Sequence, residues 1–424
     1  MTAPLLRTID PTGLDDRLRS PIDEDTLATV RPIVADVITD GETALRRHAT
    51  ELDGLNPADP LLVNNAALMD AVEQLDPDDR ELLERVAERI RTFAEAQRGV
   101  LGDVELPVPG GTVGHRVAPV DRVGCYAPGG RHPLPSSVLM TVIPARVAGV
   151  REIIVASPRP APITLAAAGI AGADALLTAG GAHAIAAMAS GVVTSRCDMI
   201  VGPGNRYVTA AKYLLSDRVG IDMLAGPSEL VVLADDTSDP RVITSDLIAQ
   251  AEHDPDARAI LIATDQTMID AVNAELTEQL TSLPTSQVAR EALSESFVIL
   301  ASTIDDAIDA SDRIAPEHLA IHTCDARAVA ARVKHYGGLF VGSASAEVLG
   351  DYAAGPNHTL PTGQASRYTG GLSVLDFLRV RTYVQIDDPH NAEPLIHDAE
   401  RLARLEGLEG HARSASCRRE RGDA

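Results

Sequence analysis

The stretch RIAPEHLAIHT (313–323) sets two titratable side chains side by side, Glu317 and His318, behind Pro316 and ahead of an apolar run. Histidine is the natural proton acceptor near neutral pH, and a carboxylate beside it can activate water. Pro316 keeps Ala315 out of the α region, so a helix ends there and a strand starts. The pair then lies at an element boundary, where functional groups of α/β proteins collect. The plainer reading is a surface glutamate beside a half-buried histidine that opens a strand.

Other stretches carry similar potential. In QAEHDPDA (250–257), Gln250 and His253 are three apart near a helix end, face the same side and could share a cation. A polar helix terminus explains them equally. GDYAAGPNHTLPTGQASRYTGGLSV (350–374) crowds Gly, Pro, Asn and Thr around Asp351 and His358, as an ordered loop that approaches a ligand would. GGAHAIAA (180–187) and GPGNRYVTAAK (202–212) put small residues where strands turn into helices, a setting that suits phosphate. Neither spells G-x-G-x-x-G, so locally they read as tight turns. Glu406 and His411 stand in a charged tail that reads as a solvated terminus.

The elements that must position these groups follow an alternating cadence. Strands are expected at EIIVASP, ALLTAGG and DMIVGPG, then at ELVVLAD, RAILIATD, ESFVILAS, HLAIHT and GGLFVG, with helical segments between them. That cadence predicts parallel sheets covered by helices, in two blocks at about 126–227 and 228–345. Two amphipathic helical stretches precede them, and the Pro/Gly-rich passage VELPVPGGTVGHRVAPVDRVGCYAPGG could hold no long helix. The chain of 424 residues is too long for one core. Its net charge of −24 argues against nucleic-acid or anionic-membrane surfaces. No basic-then-apolar leader opens the chain, and the most apolar run, 163–193, is interrupted by Asp174. Cys125, Cys197, Cys324 and Cys417 form no C-x-x-C pair and read as reduced thiols in a cytoplasmic protein.

Taken together, VGCYAPGG, PSSVLMTVIPARVAGV, GPGNRYVTAAK, IDMLAGPSEL, DLIAQAEHDPDA, APEHLAIHT, GDYAAGPNHTLPTG, GLSV and EGLEGH resemble the histidinol dehydrogenase family, in family order from about residue 120 to 411. The resemblance implies two incomplete Rossmann-like parallel-sheet domains, a helical N-terminal segment, a small C-terminal tail domain and an intertwined homodimer. The boundaries it suggests are an arm at 1–24, a zinc and substrate domain of 25–125 with 228–375, an NAD domain at 126–227 and a swapped tail at 376–424. It implies one Zn2+ per subunit on Gln250, His253, Asp351 and a partner's His411, and two NAD used in succession on L-histidinol. His318 would be the general base and Glu317 the water activator. Besides His318 and the four metal ligands, Ser228, His358 and Glu406 fall at substrate contacts. Tyr126, His183 and Asn205 fall at NAD contacts, and no role is left for Cys125.

Two positions depart from the family's pattern. His183 stands in GGAHAIAA where relatives have Gln, so one ring N–H would replace an amide at a cofactor contact. Leu134 stands where many relatives have Tyr. A zinc hydrolase that uses Glu317 on water is the rival from another class. It would turn over without NAD and leave the βα blocks without purpose. Relatives that oxidise other polar alcohols, such as sulfopropanediol, are the rival closer to hand; a sulfonate would prefer cationic partners to Glu406 and His358.

Overall fold

The computed structural model describes residues 4–10, 13–14, 22–129 and 133–419. The first of two six-stranded sheets contains β2 (Leu62–Asn64), β5 (Arg122–Tyr126), β6 (Glu152–Ala156), β7 (Ala175–Leu177), β8 (Met199–Val201) and β9 (Gly220–Ile221), in the order β2-β7-β6-β5-β8-β9. Only β2 runs antiparallel to its neighbour. The second contains β1 (Arg7–Ile9), β10 (Glu229–Ala234), β11 (Arg258–Ala263), β12 (Phe297–Leu300), β13 (His318–His322) and β14 (Gly338–Val341), all parallel, in the order β1-β12-β11-β10-β13-β14. Without its edge strand each sheet runs third, second, first, fourth, fifth, the Rossmann order short of its sixth strand. A third, antiparallel sheet joins β3 (Val104–Val108), β4 (Gly111–Pro119) and β15 (Leu378–Ile386).

Strand alternation sorts the second core. Leu230, Val232 and Ala234 of β10 face α9 (Pro240–Ala251), α10 (Gln266–Gln279) and α11 (Ser286–Glu295). Val231 and Leu233 face α12 (Ile304–Ile314) and α13 (Ala326–Ala330). With both faces covered, all six residues of β10 are buried, as a central parallel strand requires. Each fully buried Leu or Val contributes about 1.5–3 kcal/mol of transfer free energy.

The helices within residues 25–98 pack on helices of the first sheet. Helices α1 (Glu24–Asp40) and α2 (Glu42–Asp53) lie on α7 (Gly181–Ser190). Likewise α3 (Asn65–Gln74) lies on α6 (Pro162–Ala171), and α4 (Pro77–Arg98) on α5 (Pro135–Ala148). The physical reason is shape: Val30, Val34 and Val37 of α1 fill the low relief of the Ala-rich α7 and α8 (Arg206–Leu215). Half of the expected arm 1–24 lies outside the described residues, but Arg7–Ile9 extends the second sheet beside β12. The tail also differs from a separate unit, since β15 pairs with β4 over nine residues.

Candidate active site

The first and fourth strands of the second sheet, β10 and β13, start side by side, and their amino ends carry Ser228, Glu229, Glu317 and His318. Ligands of open α/β sheets ordinarily bind at carboxyl ends. Here the cluster sits at the opposite edge. The helix before it ends at Ala315, as expected, but by a different conformation: Ala315 is left-handed (φ 51°) and its N–H closes onto Ser311 O at 2.8 Å. That sharp reversal, followed by Pro316, brings Glu317 and His318 into the same buried region.

His318 is surrounded by acid. Its Nδ1 lies 3.7 Å from Glu317 Oε2 and 3.8 Å from Glu347 Oε1, and its Nε2 lies 3.5 Å from Asp351 Oδ1. Burial alone would depress its pKa, but the charges of Glu347, Glu317 and Asp351 outweigh that and raise it to about 10. Burial pushes Glu317 up to about 8, against the pull of His318 and of the Glu229 N–H that donates to its Oε2 at 3.0 Å. Glu347 is driven up to about 7 by burial, with His318 pulling it down.

Glu347 is the residue that sequence reasoning missed. It opens α14 (Glu347–Leu349), which runs into a π-helical turn, Gly350–Ala354, that carries Asp351. Four residues apart, the two carboxylates share a face, and that E-x-x-x-D spacing was the available signal. π-turns of this kind recur at functional sites. Donor atoms of His318, Glu347 and Asp351 all lie within 4.8 Å of one another, a grouping able to hold a cation.

Gln250, at the end of α9, is fully buried, and neither atom of its amide has a hydrogen-bond partner. An orphaned buried amide is costly, about 1–3 kcal/mol, so it calls for a ligand. His253 follows just past the helix end, its N–H 3.4 Å from Gln250 O. The residue as a whole is exposed, while partial burial of its ring lowers the imidazole pKa, Asp351 raises it and His318 lowers it further. His358 is likewise lowered by burial, opposed by Asp351, and its Nε2 is buried without a partner. The loop that carries it is anchored at several points. Gly226 N–H donates to Thr362 Oγ1, Gly363 N–H to Glu229, and Asn357 Nδ2 to Met140 O of α5 at 2.6 Å. The loop thus ties the second sheet's amino edge to the first sheet's helices.

The first sheet meets this edge with carboxyl ends. Tyr126 ends β5 and Gly202 follows β8, so close that a Cβ on Gly202 would lie 2.1 Å from Tyr126 O. Asn205 caps α8, its Oδ1 accepting from Tyr207 N and Val208 N at 3.1 and 3.2 Å, which leaves its amide NH2 to offer a ligand. The His183 side chain is 1% exposed and its Nε2 lies 2.8 Å from Asp53 Oδ2, so one ring nitrogen is engaged inside the protein while Nδ1 has no partner. Glu406 and His411 are exposed, on α15 (Glu393–Leu405) and its end and on α16 (Glu409–Ser416), and do not join the buried cluster of their own chain.

Cys125 is buried under Ile-, Val- and Met-rich packing, and burial pushes its thiol up to about 12. A thiol so protonated is no nucleophile. Cys125→Ser is expected to keep kcat within about twofold; loss of the second oxidation in that variant would show a thiohemiacetal route instead.

Two open sheets of dinucleotide-binding order, with a buried imidazole ringed by carboxylates where their edges meet, define an α/β dehydrogenase. The family model for histidinol dehydrogenase matches residues 18–419. Over 394 residues the chain is 47% identical to the histidinol dehydrogenase of Thermus thermophilus, covering 92% of this chain and 94% of the relative. It is 43% identical over 401 residues to that of Natronomonas pharaonis, covering 93% and 94%. The crystal structure of histidinol dehydrogenase from Elizabethkingia anophelis matches with a TM-score of 0.92 at 30% identity, over 100% of both chains. The chain belongs to the histidinol dehydrogenase family. Its activity is the last step of histidine biosynthesis, the NAD- and zinc-dependent oxidation of L-histidinol through L-histidinal to L-histidine.

Proposed function

We propose that Gln250, His253 and Asp351 of one subunit, with His411 of the partner subunit, hold the zinc, and that His318 and Glu317 move the protons. The observation that carries this is the orphaned Gln250 amide, three residues from His253, which feels the charges of Asp351 and His318. The proposed donors are nitrogen and oxygen without thiolate, a set that fits a catalytic divalent metal. When bound, the zinc supplies positive charge that gathers the imidazole and amino nitrogens of histidinol. Ser228, His358 and the partner's Glu406 would complete the substrate's surroundings.

In the first oxidation His318 accepts the hydroxyl proton as the carbinol carbon gives its hydride to NAD, leaving histidinal and NADH. In the second, after His318 has released its proton to solvent, Glu317 takes a proton from the water that adds to the aldehyde carbon. The hydrate then gives its hydride to a second NAD and its hydroxyl proton to His318, and histidine leaves as the carboxylate. A glutamate raised to about 8 by burial is a stronger base towards water than an exposed one. Glu347, Glu317 and Asp351 favour the protonated imidazole of His318; a cation held by Asp351 would offset one of those charges and so favour the imidazole as base. Tyr126 and Asn205, at the first sheet's carboxyl edge, would hold NAD. Residues 126–227 would form the NAD unit and 228–375, with 25–125, the zinc and substrate unit.

The dimer is supported by the tail. Leu402 and Leu405 are 59% and 77% exposed on α15, an apolar face left uncovered among the described residues. Co-expressed His411→Ala and His318→Ala subunits, each inactive alone, are expected to recover roughly a quarter of native activity, because half the dimers are mixed and each has one intact site. No recovery in purified mixed dimers would place His411 elsewhere. Among the described residues no helix is long and apolar enough to cross a membrane, and all four cysteines are free, which supports a cytoplasmic location.

A further inference from the structure

Asp53 ends α2, far in sequence from any residue of the site, yet its Oδ2 accepts the Gly180 N–H at 2.8 Å and lies 2.8 Å from His183 Nε2. A carboxylate only accepts, so the proton of His183 is on Nε2, and its buried Nδ1 has no partner. The next amide, Gly181 N–H, donates to Tyr126 Oη at 3.0 Å. The turn has little freedom. Gly181 is left-handed (φ 54°), and a Cβ on Gly180 would lie 2.6 Å from Pro158 Cγ. The first amides of α7, which in dinucleotide folds receive phosphate, are thus occupied by a carboxylate and a phenol of the chain itself. Asp36, 3.2 Å from His48 Nε2, and His48, whose ring centre lies 6.0 Å from that of His183, complete the charged and titratable groups around the pair.

We propose that Asp53 and His183 are positioning residues for the cofactor. They fix Gly180 and Gly181, so that the Gly181 amide engages a lone pair of the Tyr126 hydroxyl and leaves the hydroxyl proton to be donated to NAD. The proposal rests on the reading that Tyr126 contacts NAD. It gives the buried His183 action through the turn in place of a direct contact. Glutamine at the same position could donate to Asp53 equally.

His183→Leu removes the donor at similar volume. KM for NAD is expected to rise about fivefold to tenfold, the worth of one hydrogen bond. kcat, KM for histidinol and zinc content should stay as in the native enzyme, and His183→Gln should restore KM. Tyr126→Phe should raise KM for NAD as well, and adding His183→Leu to it should cost nothing more, since one acts through the other. If His183→Leu fails to fold, Asp53→Ala, which removes the acceptor shared by Gly180 and His183, supplies the same comparison. An unchanged KM in His183→Leu or Asp53→Ala, with Tyr126→Phe affected, overturns the proposal and leaves the pair as packing. An unchanged KM in Tyr126→Phe overturns the underlying reading of this edge, and the proposal with it.

Discussion

Replacing His318 by glutamine is expected to lower kcat for histidinol by roughly two to four orders of magnitude, the usual worth of a general base. Both oxidations should slow, because each releases a hydroxyl proton at the same carbon. The zinc content should hold, since His318 is not among the proposed ligands. Folding should survive too. Glu317 and Glu347 are already raised to about 8 and about 7, so without the imidazole they take up protons rather than remain as buried unpaired charges. Steady-state rates with metal analysis of the same preparation check this. A kcat within tenfold of native, at full zinc occupancy, would move proton abstraction to another residue.

Glu317→Gln should act differently on the two halves of the reaction. The amide still sits 3.7 Å from His318 Nδ1 and can satisfy the Glu229 N–H, so the site's shape is retained. What it lacks is a base for water. Histidinal oxidation is expected to fall by roughly two orders of magnitude or more, while the first hydride transfer slows far less. Histidinal should then accumulate, and NADH formed per histidinol should drop from two towards one. Rapid-quench product analysis separates the halves. Equal loss in both would make Glu317 a partner of His318 rather than the activator of water.

The sheet cadence was legible because central parallel strands are continuous apolar runs: ELVVLAD and HLAIHT are buried throughout in β10 and β13. The Glu-His pair was legible too, since proline marks an element boundary whatever conformation precedes it. Packing partners were not. The stripe of α1 reads as apolar at helical spacing, but nothing local says that it fits α7 and α8 rather than the second sheet. β5 and α5 were hidden for the same reason, the one in a Pro/Gly-rich passage and the other around Pro144. Glu347 drew no notice in the sequence, because a lone acid reveals its burial only when the fold supplies His318. His183 was read as facing a ligand, and no local pattern announced its contact with Asp53, 130 residues away. The tail's Glu406 and His411 remain exposed in one subunit, and only the resemblance gave them a role.

The measurement that tests the account most directly is the NADH formed per L-histidinol by zinc-loaded enzyme, repeated after chelation and after zinc is returned. The account predicts two NADH and one histidine per substrate, none after chelation, and full recovery with zinc. Turnover that persists without metal, or a native enzyme that stops at one NADH with histidinal released, would contradict it.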